Sequence, residues 1–415
     1  MGIWYHGSKQ QVDVLDVNKS SGMNLWGGRG SYLTQNKRVA AMFGPCVNRF
    51  EIGDLDVLNT DNEIHDNDFS AVNSILNANV PFMTLAHADV KSYGEAMALC
   101  AQFGLGNKET AVQIFQEVLG FDALLTEDVT SVLRGGAINE GDLLILLSPE
   151  KAQFLDAEYV RVPNGVFFHG GRSEQPIQRF VHGIYPAKSG IEGLGCVSVE
   201  RHAFFFSSVP AMSSEYGNVH AYALPTSGFL DIRNDLSAED AAKLEQVGIN
   251  TRWIDGMPTE SKWQIFDGED GDALSAAIRE LGYCGVDYWE CDKKGILRHC
   301  RAVVDSEIPK PLPIPTEVIS QLDVVLSVVD ALKEVSNEIE SANDNGVSSV
   351  LINDILANFG LKGDSERLFT LLKRSDHEGL VEAISISNPT FCTGDEPNVD
   401  LSVHCRDTMR VRRSC

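Results

Sequence analysis

The sequence predicts an α+β protein built from two tandem copies of one unit and followed by a helical domain. Three observations carry this. The opening MGIWYHGSKQ returns as VFFHGGRSEQ, with His6 and His169 standing 163 positions apart. Four matched blocks then follow each motif in the same order. A proline-dense segment, IPKPLPIPTE, separates the second copy from a stretch with apolar residues at helical spacing. An internal repeat decides the architecture before any single element does, and 415 residues exceed one ordinary core.

Taken in order, WYHGS reads as a short strand entering a Gly-rich stretch, SSGMNLWGGRG. A second short strand and polar turn, SYLTQNK, lead into a helix ending in Phe-Gly, where Gly suits a helix C-cap. The second copy gives FFFSSVP and then a helix ending in Tyr-Gly. Half-buried strands are expected next, from the alternation in VNRFEIGDLDVLNTD and VHAYALPTSGFLDIRND. Helical inserts follow, from FSAVNSILNA to TAVQIFQEV and from AEDAAKLEQV to ALSAAIREL. Each copy then gives a helix ending in Gly and a strand, with Gly120 and Gly282 separated by 162 positions. An apolar strand closes each copy, LLILLSPEKAQFL and CRAVVDSEIPKPL. The resulting division is 1–158 and 162–312 for the two units, 316–385 for a helical domain and 386–415 for an irregular tail. Pro-dense segments such as the one after the second unit act as stiff linkers.

Composition narrows the function. The apolar share of 43% is that of a globular protein, and the net charge of −25 argues against a chain built to hold nucleic acid or an anionic membrane. No apolar run is long enough to span a bilayer, and no secretory signal is legible at the N-terminus. The nine cysteines form no C-x-x-C pair and read as reduced thiols of a cytoplasmic protein. Cys291, His299 and Cys300 invite a metal reading, but zinc needs four convergent ligands and no second cluster offers them, so no metal is expected. A Rossmann reading fails for want of G-x-G-x-x-G after a strand, and GLGNKETA lacks the G-K-[ST] ending of a phosphate loop.

The blocks together resemble the ADP-ribosyltransferase fold, in its diphtheria-toxin and poly(ADP-ribose)-polymerase-like branch. The residues that carry the likeness are aromatic-His-Gly at 5–7 and 168–170, the step Gly-Ser-Tyr-Leu-Thr at 30–34, and Leu-Gly-Phe-Asp-Ala at 119–123. The resemblance covers residues 1–156 and 164–312. It implies two antiparallel sheets packed at an angle around a cleft in each unit. It also implies NAD as substrate, cleaved between nicotinamide and ribose, with ADP-ribose passed to a protein or nucleic-acid acceptor. Two such units with a helical tail also resemble phage or bacterial effectors, which implies action in a host cytoplasm or association with a virion. The C-terminal helices are then candidates to meet a protein partner.

By the same resemblance, His6 and His169 would bond the adenosine ribose, and the backbone at Gly7 and Gly170 would meet the nicotinamide amide. Tyr32 would stack on the nicotinamide ring, with Phe205 at that place in the second unit, and Ser8 would add a hydroxyl. The family also needs an acidic residue at the start of the final strand, to stabilise the cationic transition state. Here the aligned places are Leu143 and Cys300. Asp142 stands one residue off, which in a strand turns a side chain to the other face unless a bulge intervenes. Glu140 and Glu127 are further candidates, and Glu290 and Asp292 are the nearest acids in the second unit. The first unit, which keeps both His and Tyr, is the expected working copy, and the second a degenerate one. The alternative is an inactive tandem module with a structural or binding role.

Overall fold

Both copies fold into a seven-stranded sheet of identical strand order. The computed structural model describes residues 2–17, 30–79, 90–96, 113–127, 142–181, 183–188, 196–336 and 345–388. The first unit contributes β1 (Gly2–Ser8), β2 (Ser31–Thr34), β3 (Cys46–Ile52), β4 (Val57–Asn59), β5 (Ala123–Glu127), β6 (Asp142–Leu146) and β7 (Ala152–Tyr159). Their order across the sheet is β4-β5-β6-β2-β1-β3-β7. The second unit contributes β8 (Val166–Gly171), β11 (Phe204–Ser207), β12 (Asn218–Ala223), β13 (Phe229–Asp231), β14 (Gly285–Cys291), β15 (Leu297–Val303) and β16 (Lys310–Leu312). Its order is β13-β14-β15-β11-β8-β12-β16, the same permutation. A separate hairpin, β9 (Gly183–Lys188) with β10 (Cys196–Arg201), precedes β11.

The expected pair of antiparallel sheets per unit appears instead as one mixed sheet. β4 pairs parallel with β5, and β13 with β14. The cause is the connection: a helical insert separates each pair, and such a crossover returns the chain in its original direction. The sheet is nonetheless narrow at its centre. β1 and β2 share a single register pair, Tyr5–Thr34, and β8 and β11 share only Phe168–Ser207.

Alternation along the strands divides the side chains between two cores. On one face of the first sheet Trp4, Leu33, Phe50, Leu144 and Leu146 pack together. On the other, Leu124 and Ile145 meet Phe69 and Val72 of α2 (Asp66–Asn79) and Phe115 of a π-helical turn, Gln113–Val118. The second sheet is covered likewise. Val286, Tyr288 and Ala302 pack on Leu244 of α4 (Ala238–Gln246) and on Leu274 and Ile278 of α5 (Gly268–Glu280).

Two short helices, α1 (Lys37–Phe43) and α3 (Pro210–Ser214), lie against the first strand of their units. Of the glycines behind them, Gly217 has the positive φ expected of such an end, at +130°, whereas Gly44 is extended, at φ −175°. A Cβ on Gly44 would overlap the Ser8 backbone, and one on Gly217 the Gly171 carbonyl. Close approach of two chain segments therefore requires these glycines.

Beyond the proline hinge, α6 (Thr316–Glu334), α7 (Asn345–Asn358), α8 (Ser365–Lys373) and α9 (His377–Ser387) bury a core of their own around Val328, Leu332, Ile352 and Leu380. α9 runs two residues past the expected boundary at 385. α6 also joins Cys46 and Tyr159 of the first unit to Phe168 and Ala221 of the second in one shared cluster. Arg298 of β15 reaches Asp330 of α6 at 2.5 Å and Asp292 at 2.8 Å, with all three side chains nearly buried. No described helix is long and apolar enough to cross a membrane.

Candidate functional site

The duplicated histidines make the same unusual bond. His6 Nδ1 lies 2.9 Å from the Tyr32 carbonyl, and His169 Nδ1 lies 2.8 Å from that of Phe205. In each unit this happens just past the single register pair that joins the two central strands, so the ring meets a carbonyl that the ladder no longer serves. A carbonyl only accepts, so Nδ1 carries the proton and Nε2 presents a lone pair. Burial pushes both imidazoles below their ordinary pKa, against the carbonyl bond, which raises it. Each ring is thus a neutral, fixed acceptor for a hydroxyl at pH 7.

The glycine after each histidine has an equally repeated reason. A Cβ on Gly7 would fall on the Ala40 carbonyl, and one on Gly170 on the Ser213 carbonyl. α1 and α3 therefore ride directly on the strand, and only Gly permits it. Ser8 is committed within the fold: its hydroxyl accepts from Asn48 Nδ2 at 2.8 Å and donates to the Gln10 carbonyl.

The register set by Tyr5–Thr34 brings Gly7, not His6, level with Tyr32. The His6 and Tyr32 side chains accordingly leave opposite faces, and what joins them is ring to carbonyl. The second unit shows this directly. His169 packs on Phe206 and Tyr222, at 5.4 and 6.3 Å between ring centroids, while Phe205 packs on Phe266 and Tyr288 on the other face. The Tyr32 hydroxyl is buried with no hydrogen-bond partner among the described residues, and burial pushes its pKa up to about 12. A buried orphan hydroxyl is costly and wants a partner.

At the two positions where the sequence resemblance calls for an acid, Leu143 stands opposite Thr34, and Cys300 opposite Ser207. Asp142 and Glu127 are register partners of each other. Their side chains, and Glu140 altogether, lie outside the described residues. Asp292 is taken up by Arg298. His299 Nε2 sits 2.8 Å from Asp287 Oδ1, so the neighbours of Cys300 are engaged in the sheet.

The two units differ in ways that spacing did not reveal. Phe180 lies edge-on over His169 at 4.9 Å, closing an aromatic cage on that ring. On the opposite face, Glu290 Oε2 accepts from the Tyr288 hydroxyl at 3.2 Å. Burial raises the Glu290 pKa, against this bond and the charge of Arg201. The Arg201 guanidinium lies 4.8 Å from the Trp263 ring centroid and 5.7 Å from that of Phe205. Tyr216, 64% exposed, stands beside Gly170 at the end of α3. Glu290 is two residues beyond Tyr288, the partner of Cys300, and so on its face. The same offset of 162 that relates Gly120 to Gly282 pairs it with Asp128, outside the described residues. No family model matches the chain, and no curated protein or solved structure is significantly similar to it.

Proposed function

We propose that the chain is a mono-ADP-ribosyltransferase that cleaves NAD and passes ADP-ribose to a protein or nucleic-acid acceptor. The observation that carries this reading is the repeated anchoring of His6 and His169 on the carbonyls of Tyr32 and Phe205. It leaves a neutral Nε2 acceptor suited to a ribose hydroxyl, in two sheets of one strand order. In this reading the first unit does the work. His6 holds the adenosine ribose on its own face, the Gly7 backbone at the end of the β1–β2 pairing meets the nicotinamide amide, and Tyr32, on the opposite face, receives the nicotinamide ring. Such a cleft acts by orienting the substrate and by placing negative charge beside a developing cation. A phage or bacterial effector acting in a host cytoplasm fits the likeness, with the C-terminal helices meeting a protein partner.

The second reading is an inactive tandem module with a structural or binding role. Leu143 and Cys300 at the acid's place, and Phe180 packed on His169, favour it. Incubation with labelled NAD in a cell lysate separates the two. The transferase reading expects label on an acceptor, lost in His6→Ala, reduced in Tyr32→Phe and kept in His169→Ala. Absence of both transfer and nicotinamide release from folded protein supports the module.

A further inference from the structure

We infer that Glu290 is the working carboxylate of a second NAD-cleaving cleft, on the Gly170–Phe205 face of the second unit. This rests on the transferase reading above and goes beyond it, since that reading leaves the second unit without an acid.

The geometry is that of one strand standing in for its neighbour. β15 offers only a thiol where an acid is wanted, and Cys300 is 1% exposed. β14 pairs antiparallel with β15, placing Tyr288 opposite Cys300 and Glu290 opposite Arg298. Residues 288 and 290 share a face by strand alternation. From there Glu290 Oε2 accepts from the Tyr288 hydroxyl at 3.2 Å. The carboxylate is thus tied to the residue that stands opposite Cys300, on the face that an acid at that position would share. Phe205 lies on the same face, with its ring against Tyr288 at 6.3 Å. The Arg201 guanidinium lies 5.7 Å from the Phe205 ring centroid, and its charge favours the ionised form of Glu290. The caged side of His169 lies on the opposite face and does not obstruct this one.

The step balances without a further reactant. The bond between ribose C1′ and the pyridinium nitrogen of NAD breaks, and its electron pair leaves with neutral nicotinamide. C1′ gains a bond from the oxygen of water. The proton of that oxygen passes to the Glu290 carboxylate and on to solvent. Before it does so, the same carboxylate faces the cationic ribose.

The test uses the intact chain carrying His6→Ala, with nicotinamide release from NAD and NAD binding as readouts. Residual release is expected, and adding Glu290→Gln should lower kcat about 100-fold or more while KM stays within about twofold. Because burial raises the Glu290 pKa, the acid limb of the rate profile should lie above the ordinary carboxylate range. Tyr288→Phe removes a bond to the carboxylate form and should move that limb to higher pH, which a merely structural Glu290 would not do. An unchanged kcat in Glu290→Gln overturns the inference. So does complete loss of release in His6→Ala alone, which leaves the transferase reading standing. If the unaltered chain neither binds nor cleaves NAD, the transferase reading itself falls.

Discussion

Replacing each of the two histidines by alanine should have unequal effects on stability, although the motifs read alike. His169→Ala removes a hydrogen bond of 2.8 Å to the Phe205 carbonyl, worth about 1 kcal/mol net. It also removes ring contacts to Phe180 at 4.9 Å, Phe206 at 5.4 Å and Tyr222 at 6.3 Å. Such contacts contribute about 0.5–1.5 kcal/mol each. With the cavity left among buried rings, the loss comes to roughly 3–5 kcal/mol, as for an aromatic-to-alanine change in a core. His6→Ala loses the matching bond of 2.9 Å, but no aromatic ring packs on His6 among the described residues. Its cost is that of a bond and a stranded carbonyl, roughly 1–3 kcal/mol. Scanning calorimetry of the full chain should show a drop of roughly 10 °C for His169→Ala and roughly 5 °C for His6→Ala. Hydrogen exchange in peptides from β8 and β1 assigns each loss to its unit. Equal drops, or a larger one for His6→Ala, would refute the view that the second ring has become part of the core.

Other consequences follow from the same contacts. Gly7→Ala and Gly170→Ala each put a methyl group on a helix carbonyl, and each should destabilise by about 1–3 kcal/mol in urea unfolding, unlike Gly165→Ala, whose Cβ meets nothing. Gly165, at φ +77°, would show only the smaller backbone cost of a left-handed residue. Arg298→Ala strands Asp292 and Asp330 in a nearly buried setting, so a loss of about 3–5 kcal/mol and faster proteolysis between the second unit and α6 are expected. The pH profile has two opposed contributions. His6 and His169, held below the ordinary imidazole pKa by burial, lend stability above pH ~6.5 that is lost as pH falls toward their folded values. Asp323 is raised to about 6 by burial, although it accepts from the Ala211 N–H at 3.0 Å and feels Lys294 and Arg298. Its cost therefore appears as pH rises through about 6, and Asp323→Asn should raise the melting temperature at pH 8 but not at pH 4.

The repeat was the legible part of this fold. His-Gly, the aromatic-Gly helix ends and the constant offset between Gly120 and Gly282 implied two units, and the structure holds two seven-stranded sheets of one strand order. Spacing along a strand does not reveal register across it, however. For that reason the sequence could not show that Gly7, rather than His6, is level with Tyr32, nor that a parallel pair would merge the two expected sheets into one. The reasons for the glycines were hidden for a related cause. Gly7 and Gly44 answer to backbone from elsewhere in the chain, whereas cap statistics look only at their own helix. Glu290 and Asp292 were legible as the nearest acids of the second unit, but the sequence did not show that Glu290 shares a face with Cys300 while Asp292 is held by Arg298. The cage over His169 depends on Phe180, eleven residues further along the chain, and no local pattern announces it.

The most direct test of the account is calorimetric titration of NAD onto the intact chain and onto its His6→Ala variant. Binding to the intact chain is expected, with the first unit's site lost and the fold retained in the variant. No heat of binding to the intact, folded chain would contradict it, and the repeated His-Gly motif would then be a device for closing the seam between two central strands.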